Sequence, residues 1–421
     1  MRKYFFVLII ILLTFSGCTQ IVTYHFLQQS NLSSDTISLK QTSGCADKLN
    51  FAPDIFHPEF TPTRFVRVNV HVFRKADGSG NFTDDEGKMY IWYMIDIANK
   101  VLRENYKMNL PVGNTTPVLP IKIQYIMTGI EGDGNDGGVY FHDDDDTYFW
   151  KSVQENKQYE KYGIRKGEVL NVFMMEWNPD SLKSSHFKAN NDGVGAGNWC
   201  KIVNAYHSWK DTLDDKGNKI DNGAWTMVGL LNHEIGHCLG LSHTWNENDN
   251  CDDTPKNPNC WSNGSPPCTL GSNNVMDYNV CQCAYTPCQI GTMHKNFFTE
   301  NSLQRKMLRP DYCVLNYDST LHIKSGDTII WNSGKELQND LLIENGASLT
   351  IRCILGLPGG AKIIIEAGAT LILDGAIITN RCHEKWDGIQ ISSSKKNPSL
   401  VIMQRGAKLE NVIHELITEK N

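Results

Sequence analysis

Val66, Val68, Val70 and Val72 alternate with Arg67, Asn69 and His71, the period of a half-buried strand. That pattern puts His71 on a polar strand face, as a surface residue and not a ligand. Thr83-Asp-Asp-Glu86 then has the form of a capping box, which opens a helix running through Met89 to about Tyr106. Apolar runs at Ile121 to Ile126 and Val169 to Met175 predict two more strands. Trp225-Thr-Met-Val-Gly-Leu-Leu231 is apolar on every side and predicts the first turns of a buried helix. Strand, helix, strands and buried helix in that order predict an α/β (α+β) sandwich.

The last hundred residues change character. Ile343-Glu-Asn-Gly-Ala-Ser-Leu-Thr-Ile351 is echoed at Ile365-Glu-Ala-Gly-Ala-Thr-Leu-Ile-Leu373, 22 residues on (365 minus 343). Weaker echoes stand at Ile323 to Asp327 and Arg405 to Leu409. Short alternating strands bent at glycine, at a period near 22 residues, predict an all-β domain in the form of a small parallel β-solenoid. A β-sandwich is the runner-up. The expected domains are 1–17 as a signal peptide, 18–62 as a tether or short pro-segment, 63–315 as the α/β sandwich domain and 316–421 as the β-repeat domain.

At the N-terminus, Arg2 and Lys3 precede a twelve-residue run from Tyr4 to Phe15, apolar except for Thr14. It is too short to span a bilayer and reads as a signal-peptide core. Phe15-Ser-Gly-Cys18 resembles a bacterial lipobox, which makes Cys18 the acylated first residue of a membrane-anchored lipoprotein. The alternative is ordinary cleavage with Cys18 a bystander. Twelve further cysteines fit export to an oxidising compartment. Six of them, Cys251, Cys260, Cys268, Cys281, Cys283 and Cys288, crowd one loop region and read as disulfide partners, with a second zinc site as the rival. Cys45 reads as a disulfide partner or idle thiol, with capping of a latent metal site as the rival. The net charge of −7 argues against nucleic acid as a partner, and nothing fixes the oligomeric state.

The chemistry is concentrated in His233-Glu-Ile-Gly-His-Cys-Leu-Gly-Leu-Ser-His243. On a helix, His233 and His237 project from one face and can grip one metal ion. Glu234 lies beside the first ligand, placed to take a proton from a water on the metal. Gly240 lets the chain turn out of the helix, and the turn brings His243 round as a third ligand. Three protein ligands leave a position open, which marks a catalytic zinc site and not a structural one. Cys238, inside this helix, reads as a buried free thiol.

Asn274-Val-Met-Asp-Tyr278 follows a loop rich in Gly, Ser and Asn. With the long histidine motif it resembles the metzincin metallopeptidases, in which a tight turn sets a methionine beneath the zinc. Met276 matches that methionine, and Tyr278 a tyrosine near the metal. His243-Thr-Trp245, Cys251-Asp-Asp-Thr-Pro255 and Met276-Asp-Tyr278 are similar to the pappalysin family within that group. The resemblance covers roughly residues 63 to 312 and is dense between 225 and 295. It implies a metzincin-type fold with zinc helix and Met-turn, a Zn²⁺ cofactor, and Asp252, Asp253 and Thr254 as candidate Ca²⁺ ligands. Glu131 to Gly138 fails the EF-hand template, and Asp143 to Asp146 reads as a solvated turn.

The leading expectation is therefore an exported, membrane-tethered zinc endopeptidase acting on protein or peptide substrates. Glu234 would be its general base, and the Tyr278 hydroxyl an aid to the oxyanion. Residues Gly195 to Ala205 are expected to supply the edge strand along which substrate lies. The alternatives are a surface binding protein with a relic zinc domain, and a non-peptide amide hydrolase.

Overall fold

The computed structural model describes residues 44–128, 137–150, 156–183, 192–210, 223–244, 249–255, 272–278, 282–392 and 396–418. The leader with Cys18 lies outside them, as do Cys260, Cys268, Cys281 and most of the 131–138 stretch. The chain forms two compact units, Thr42–Asp311 with Ser333–Glu336, and Tyr312–Asn332 with Leu337–Asn421.

The first unit is built on a seven-stranded sheet. Strand β1 (Arg64–Arg74) pairs in parallel on one side with β2 (Ile123–Met127) and then β3 (Val139–Asp143). The short β4 (Phe149–Trp150) pairs with β5 (Leu170–Trp177), which lies on the other side of β1. Beyond β5 come β6 (Gly193–Ala196) and β7 (Trp199–Val203), in the order β5-β7-β6. All the pairs are parallel except β6 with β7, which is antiparallel and puts β6 at the sheet edge.

Helix α1 (Asp84–Glu104) is opened by the predicted box: the Glu86 carboxylate accepts from the N–H and hydroxyl of Thr83 at 3.4 and 2.7 Å. Its buried side chains, among them Ile91, Met94, Ile95, Ala98, Val101 and Leu102, recur every three or four residues and form one apolar face.

Strand β1 departs from the half-buried reading. The four valines are fully buried, but so are Asn69 and His71 on the other face. A parallel sheet is covered on both faces, and the polar side chains are satisfied from within. His71 contacts His142 Nε2 at 2.9 Å through Nδ1 and Asn171 Oδ1 at 3.0 Å through Nε2. Burial first, and then the charge of His142, lowers the His71 pKa to about 3, so the ring is neutral.

Asp143, Asp145 and Asp146 are exposed, as a solvated turn would have them. Asp144 caps a short helix at Asp145–Tyr148, and its carboxylate accepts from Lys161 and Tyr162 at 2.8 and 2.7 Å. Residues 48 to 62, expected within a tether, are packed in part, with Ile55 and Phe56 exposed. Phe51 and Phe60 are buried, and the Phe51 ring lies 5.6 Å from that of Phe298. Cys45 is disulfide-bonded.

The second unit is a stack of parallel sheets, solenoid-like in form. One sheet contains Thr320–Ile323, Asp340–Ile343, Lys362–Ile365, Trp386–Ile391 and Val412–Thr418. Another contains Thr328–Trp331, Ser348–Ile351, Thr370–Asp374 and Leu400–Gln404. A third includes Ile354–Gly356, Ile377–Thr379 and Lys408–Leu409. The echo seen in the sequence is a register: Ile343 pairs with Ile365 and Ile351 with Leu373. Rungs advance by 20, 22 and 26 residues along Ile323, Ile343, Ile365 and Ile391. Leucine and isoleucine point inward at every second position. Cys313 and Cys382 are joined by a disulfide. No helix of the described residues is long and apolar enough to cross a membrane, and disulfides are characteristic of exported chains.

Candidate active site

Helix α2 (Trp225–Cys238) carries His233, Glu234 and His237. It is apolar because it is embedded: Met227, Val228, Leu231 and Ile235 are buried. Its end is a Schellman turn, with Leu241 N–H donating to the Gly236 carbonyl at 3.0 Å and Gly240 N–H to that of His237 at 2.9 Å. Gly240 sits at φ +97°, a conformation that L side chains rarely adopt. The Leu241 carbonyl then accepts from His237 Nδ1 at 2.8 Å. One turn thus both reverses the chain and orients a ring.

Three imidazoles converge beyond it. Nε2 of His237 lies 3.1 Å from Nε2 of His233 and 2.9 Å from Nε2 of His243. Each Nδ1 faces an acceptor: the Val275 carbonyl for His233 at 2.7 Å, the Leu241 carbonyl for His237 at 2.8 Å, and the Tyr278 hydroxyl for His243 at 3.4 Å. A proton on Nδ1 leaves a lone pair on Nε2, so three lone pairs face one point. Burial, then the charge of His237, lowers the His233 pKa to about 3 and keeps that ring neutral, the form that can bind a metal. Tetrahedral coordination with bonds of about 2.0–2.1 Å would separate such nitrogens by about 3.3 Å. These three histidines could therefore hold a metal ion.

Glu234 is 4% exposed beside them. Burial first, and then the charge of Asp192, pushes its pKa up to about 8, against the pull of the Gly195 N–H that it accepts. Edge strand β6 approaches closely because it lacks side chains on this face. A Cβ on Gly193 would lie 2.4 Å from Glu234 Oε1, and one on Gly195 would lie 2.2 Å from the Glu234 carbonyl oxygen. The segment expected to supply one strand, Gly195 to Ala205, is a hairpin: only Gly195 and Ala196 belong to edge strand β6, and Trp199–Val203 is internal. Gly197, at φ +61°, stands where the hairpin turns.

Met276 is fully buried under α2, where a Cβ on Gly236 would meet its sulfur at 2.5 Å. Its N–H donates to Asn274 Oδ1 at 2.8 Å. The Asn274 amide in turn exchanges two hydrogen bonds with Gln289, at 2.8 and 3.0 Å. Gln289 belongs to the capping box of helix α3 (Pro287–Phe298), so the turn is pinned to a helix start. Tyr278 is 58% exposed, with its ring 5.7 Å from that of His233 and 4.7 Å from that of His243.

Residues 169–298 match the family model for peptidase M43, described as pregnancy-associated plasma protein-A. That segment of the chain is similar to the pappalysin family of metallopeptidases. The matched segment contains the three histidines, Glu234, Met276 and Tyr278. Among solved structures, the chain is similar to mirolysin in complex with a compound, at 18% identity and TM-score 0.40. It is also similar to mature mirolysin of Tannerella forsythia in complex with a cleaved peptide, at 18% identity and TM-score 0.36. Both matches cover 59% of this chain and 96% of the other. Comparison with curated proteins gave no match.

In the candidate calcium loop some groups are engaged internally, while Asp253 Oδ1 is buried with no hydrogen-bond partner. Asp253 Oδ2 accepts from the Cys288 N–H at 3.0 Å, and the Thr254 hydroxyl donates to Asp249 at 2.5 Å. Asp252 is exposed. The sulfurs of Cys251 and Cys288, which with Asp253 would form a second metal cluster, are joined in a disulfide. Cys283 is a free thiol, and Cys238 a buried one 3.2 Å from the Trp199 carbonyl. Three features were invisible to sequence reasoning: the glycine face of β6, the Asn274–Gln289 amide pair, and Gln282, which reaches His233. Each joins residues far apart in the chain, and none carries a local period.

Proposed function

We propose that the chain is an exported zinc endopeptidase in which His233, His237 and His243 hold the ion and Glu234 is the general base. The observation that carries this reading is the convergence of three Nε2 atoms whose Nδ1 atoms are already engaged, with a buried carboxylate beside them. When bound, zinc supplies Lewis acidity toward a water and toward the scissile carbonyl. Glu234 takes a proton from that water and returns it to the departing amine. Burial raises its proton affinity into the neutral range, and a divalent cation nearby would lower it again.

The substrate backbone would add to the exposed side of β6, where an edge strand has unpaired N–H and C=O groups to offer. Met276 would be the Met-turn residue, supporting α2 from below. Digestion of a peptide library, read by mass spectrometry, tests the proposal. A zinc-loaded protein that cleaves no peptide bond would sink it.

Tyr278 is proposed to steady the oxyanion through its hydroxyl. Tyr278→Phe should lower kcat about ten- to a thousandfold with KM nearly unchanged. In the structure that hydroxyl lies 3.4 Å from His243 Nδ1, so the role requires it to turn toward the substrate. An unchanged kcat with a lower melting temperature would reassign Tyr278 to packing.

The envelope reading rests on the Phe15-Ser-Gly-Cys18 segment. If Cys18 is acylated, Cys18→Ser should move the protein from the membrane to the soluble fraction. A variant that stays with the membrane would show another tether.

A further inference from the structure

Gln282 lies four residues after Tyr278, within no motif. Its side-chain nitrogen is 3.1 Å from the Val275 carbonyl, 2.5 Å from the Asp277 carbonyl and 3.1 Å from Nδ1 of His233. An amide nitrogen has two hydrogens, and here both go to carbonyls that flank Met276. The third contact is not a hydrogen bond. His233 Nδ1 is itself a donor, to the same Val275 carbonyl at 2.7 Å. Two donors therefore meet over one shared acceptor. With the amide reversed, its oxygen would face two carbonyl oxygens, which repel it. The amide nitrogen thus belongs where it is.

A second observation points the same way. Gly229 stands one helical turn before His233, inside α2. A Cβ there would lie 2.8 Å from Gln282 Oε1 and 3.2 Å from Gln282 Cβ. Glycine is the poorest helix former after proline. Its presence in mid-helix is accounted for by the glutamine side chain that lies across it.

We propose that Gln282 is a positioning residue for His233. By tying the carbonyls on both sides of Met276, it fixes the Val275 oxygen, and that oxygen fixes the His233 ring with Nε2 toward its two partners. Gly229 is the space that admits it. The inference rests on the reading of the three histidines as the zinc site. Outer partners of this kind typically change metal affinity ten- to a hundredfold.

The test is zinc affinity by competition with a chromogenic chelator, alongside kcat, KM and the melting temperature of the zinc-free protein. Wild type, Gln282→Met, Gly229→Ala and the double variant are compared. Methionine keeps the length and loses both donors; alanine pushes the glutamine aside while favouring the helix. Wild type that binds no zinc would remove the functional reading itself. Given zinc in wild type, each single variant should bind it about ten- to a hundredfold more weakly. In each, kcat should fall while KM stays close to that of wild type. The double variant should be no weaker than the worse single one, because both act on one contact. Zinc affinity within about twofold of wild type in Gly229→Ala, or multiplicative losses in the double variant, would overturn the proposal. A lowered zinc-free melting temperature with unaltered zinc affinity in Gln282→Met would do the same, and would make the residue purely structural.

Discussion

Glu234→Ala should lower kcat at least about a hundredfold while the protein stays folded and keeps its zinc. The carboxylate ligates nothing in this reading, so its loss should not touch the three nitrogens that hold the ion. It is also buried without an ion-pair partner of opposite charge among the causes of its shifted pKa. Removing it relieves desolvation and does not orphan a cation. The relief is offset by the Gly195 N–H, which loses this acceptor, so stability should change little. Zinc stoichiometry, a melting curve and kcat on one peptide substrate decide the matter together. Full turnover in a zinc-loaded variant would remove Glu234 from the chemistry. Loss of zinc along with turnover would mean that the carboxylate supports the site and is not its base.

Removal of the metal is the second large effect. Dialysis against a strong chelator should take peptidase activity to background, and added zinc should restore it. Without an ion, three Nε2 lone pairs face one another at 2.9 and 3.1 Å with no proton to share. The zinc-free site should therefore loosen, and the melting temperature should fall. Zinc at a hundred times its dissociation constant would stabilise the fold by about 2.7 kcal/mol. Protons compete for the same nitrogens, so apparent affinity should weaken as pH drops. Activity that persists in protein shown to be zinc-free would dismiss the histidine cluster as the catalytic centre.

What the sequence discloses depends on how far apart the interacting residues are. His233 and His237 are legible because a helix turns distance four into a shared face. The β-repeat is legible because a 22-residue offset is itself the pairing register of Ile343 with Ile365. Strand β1 misleads because Asn69 and His71 alternate with valines as solvent-facing residues would. Their actual partners, Thr128, Asn171 and His142, lie 59 to 100 residues away. Residues 48 to 62 misleadingly resemble a linker: they pack through two short 3-10 turns, Lys48–Phe51 and Pro58–Phe60, which carry no period. The expected edge strand, Gly195 to Ala205, begins too late because a hairpin turning at Gly197 and a single extended segment have the same composition.

The uneven rungs of the second unit bear on how such a domain can change over generations. Ile365 to Ile391 takes 26 residues and Leu373 to Met403 takes 30, against 22 for the rung before. Yet the paired strands keep apolar residues in line, Ile363 with Ile389 and Ile365 with Ile391 in one sheet, Leu371 with Val401 and Leu373 with Met403 in another. Part of the surplus falls in connections: eight residues, 392–399, separate Ile391 from Leu400, against four, 366–369, between Ile365 and Thr370. Insertions there leave the stacked interior untouched, so the outer contour can drift and acquire new contacts while the core stays under constant selection. Divergence between relatives should therefore concentrate at those corners, and a loop grafted between Ile391 and Leu400 should cost the fold little.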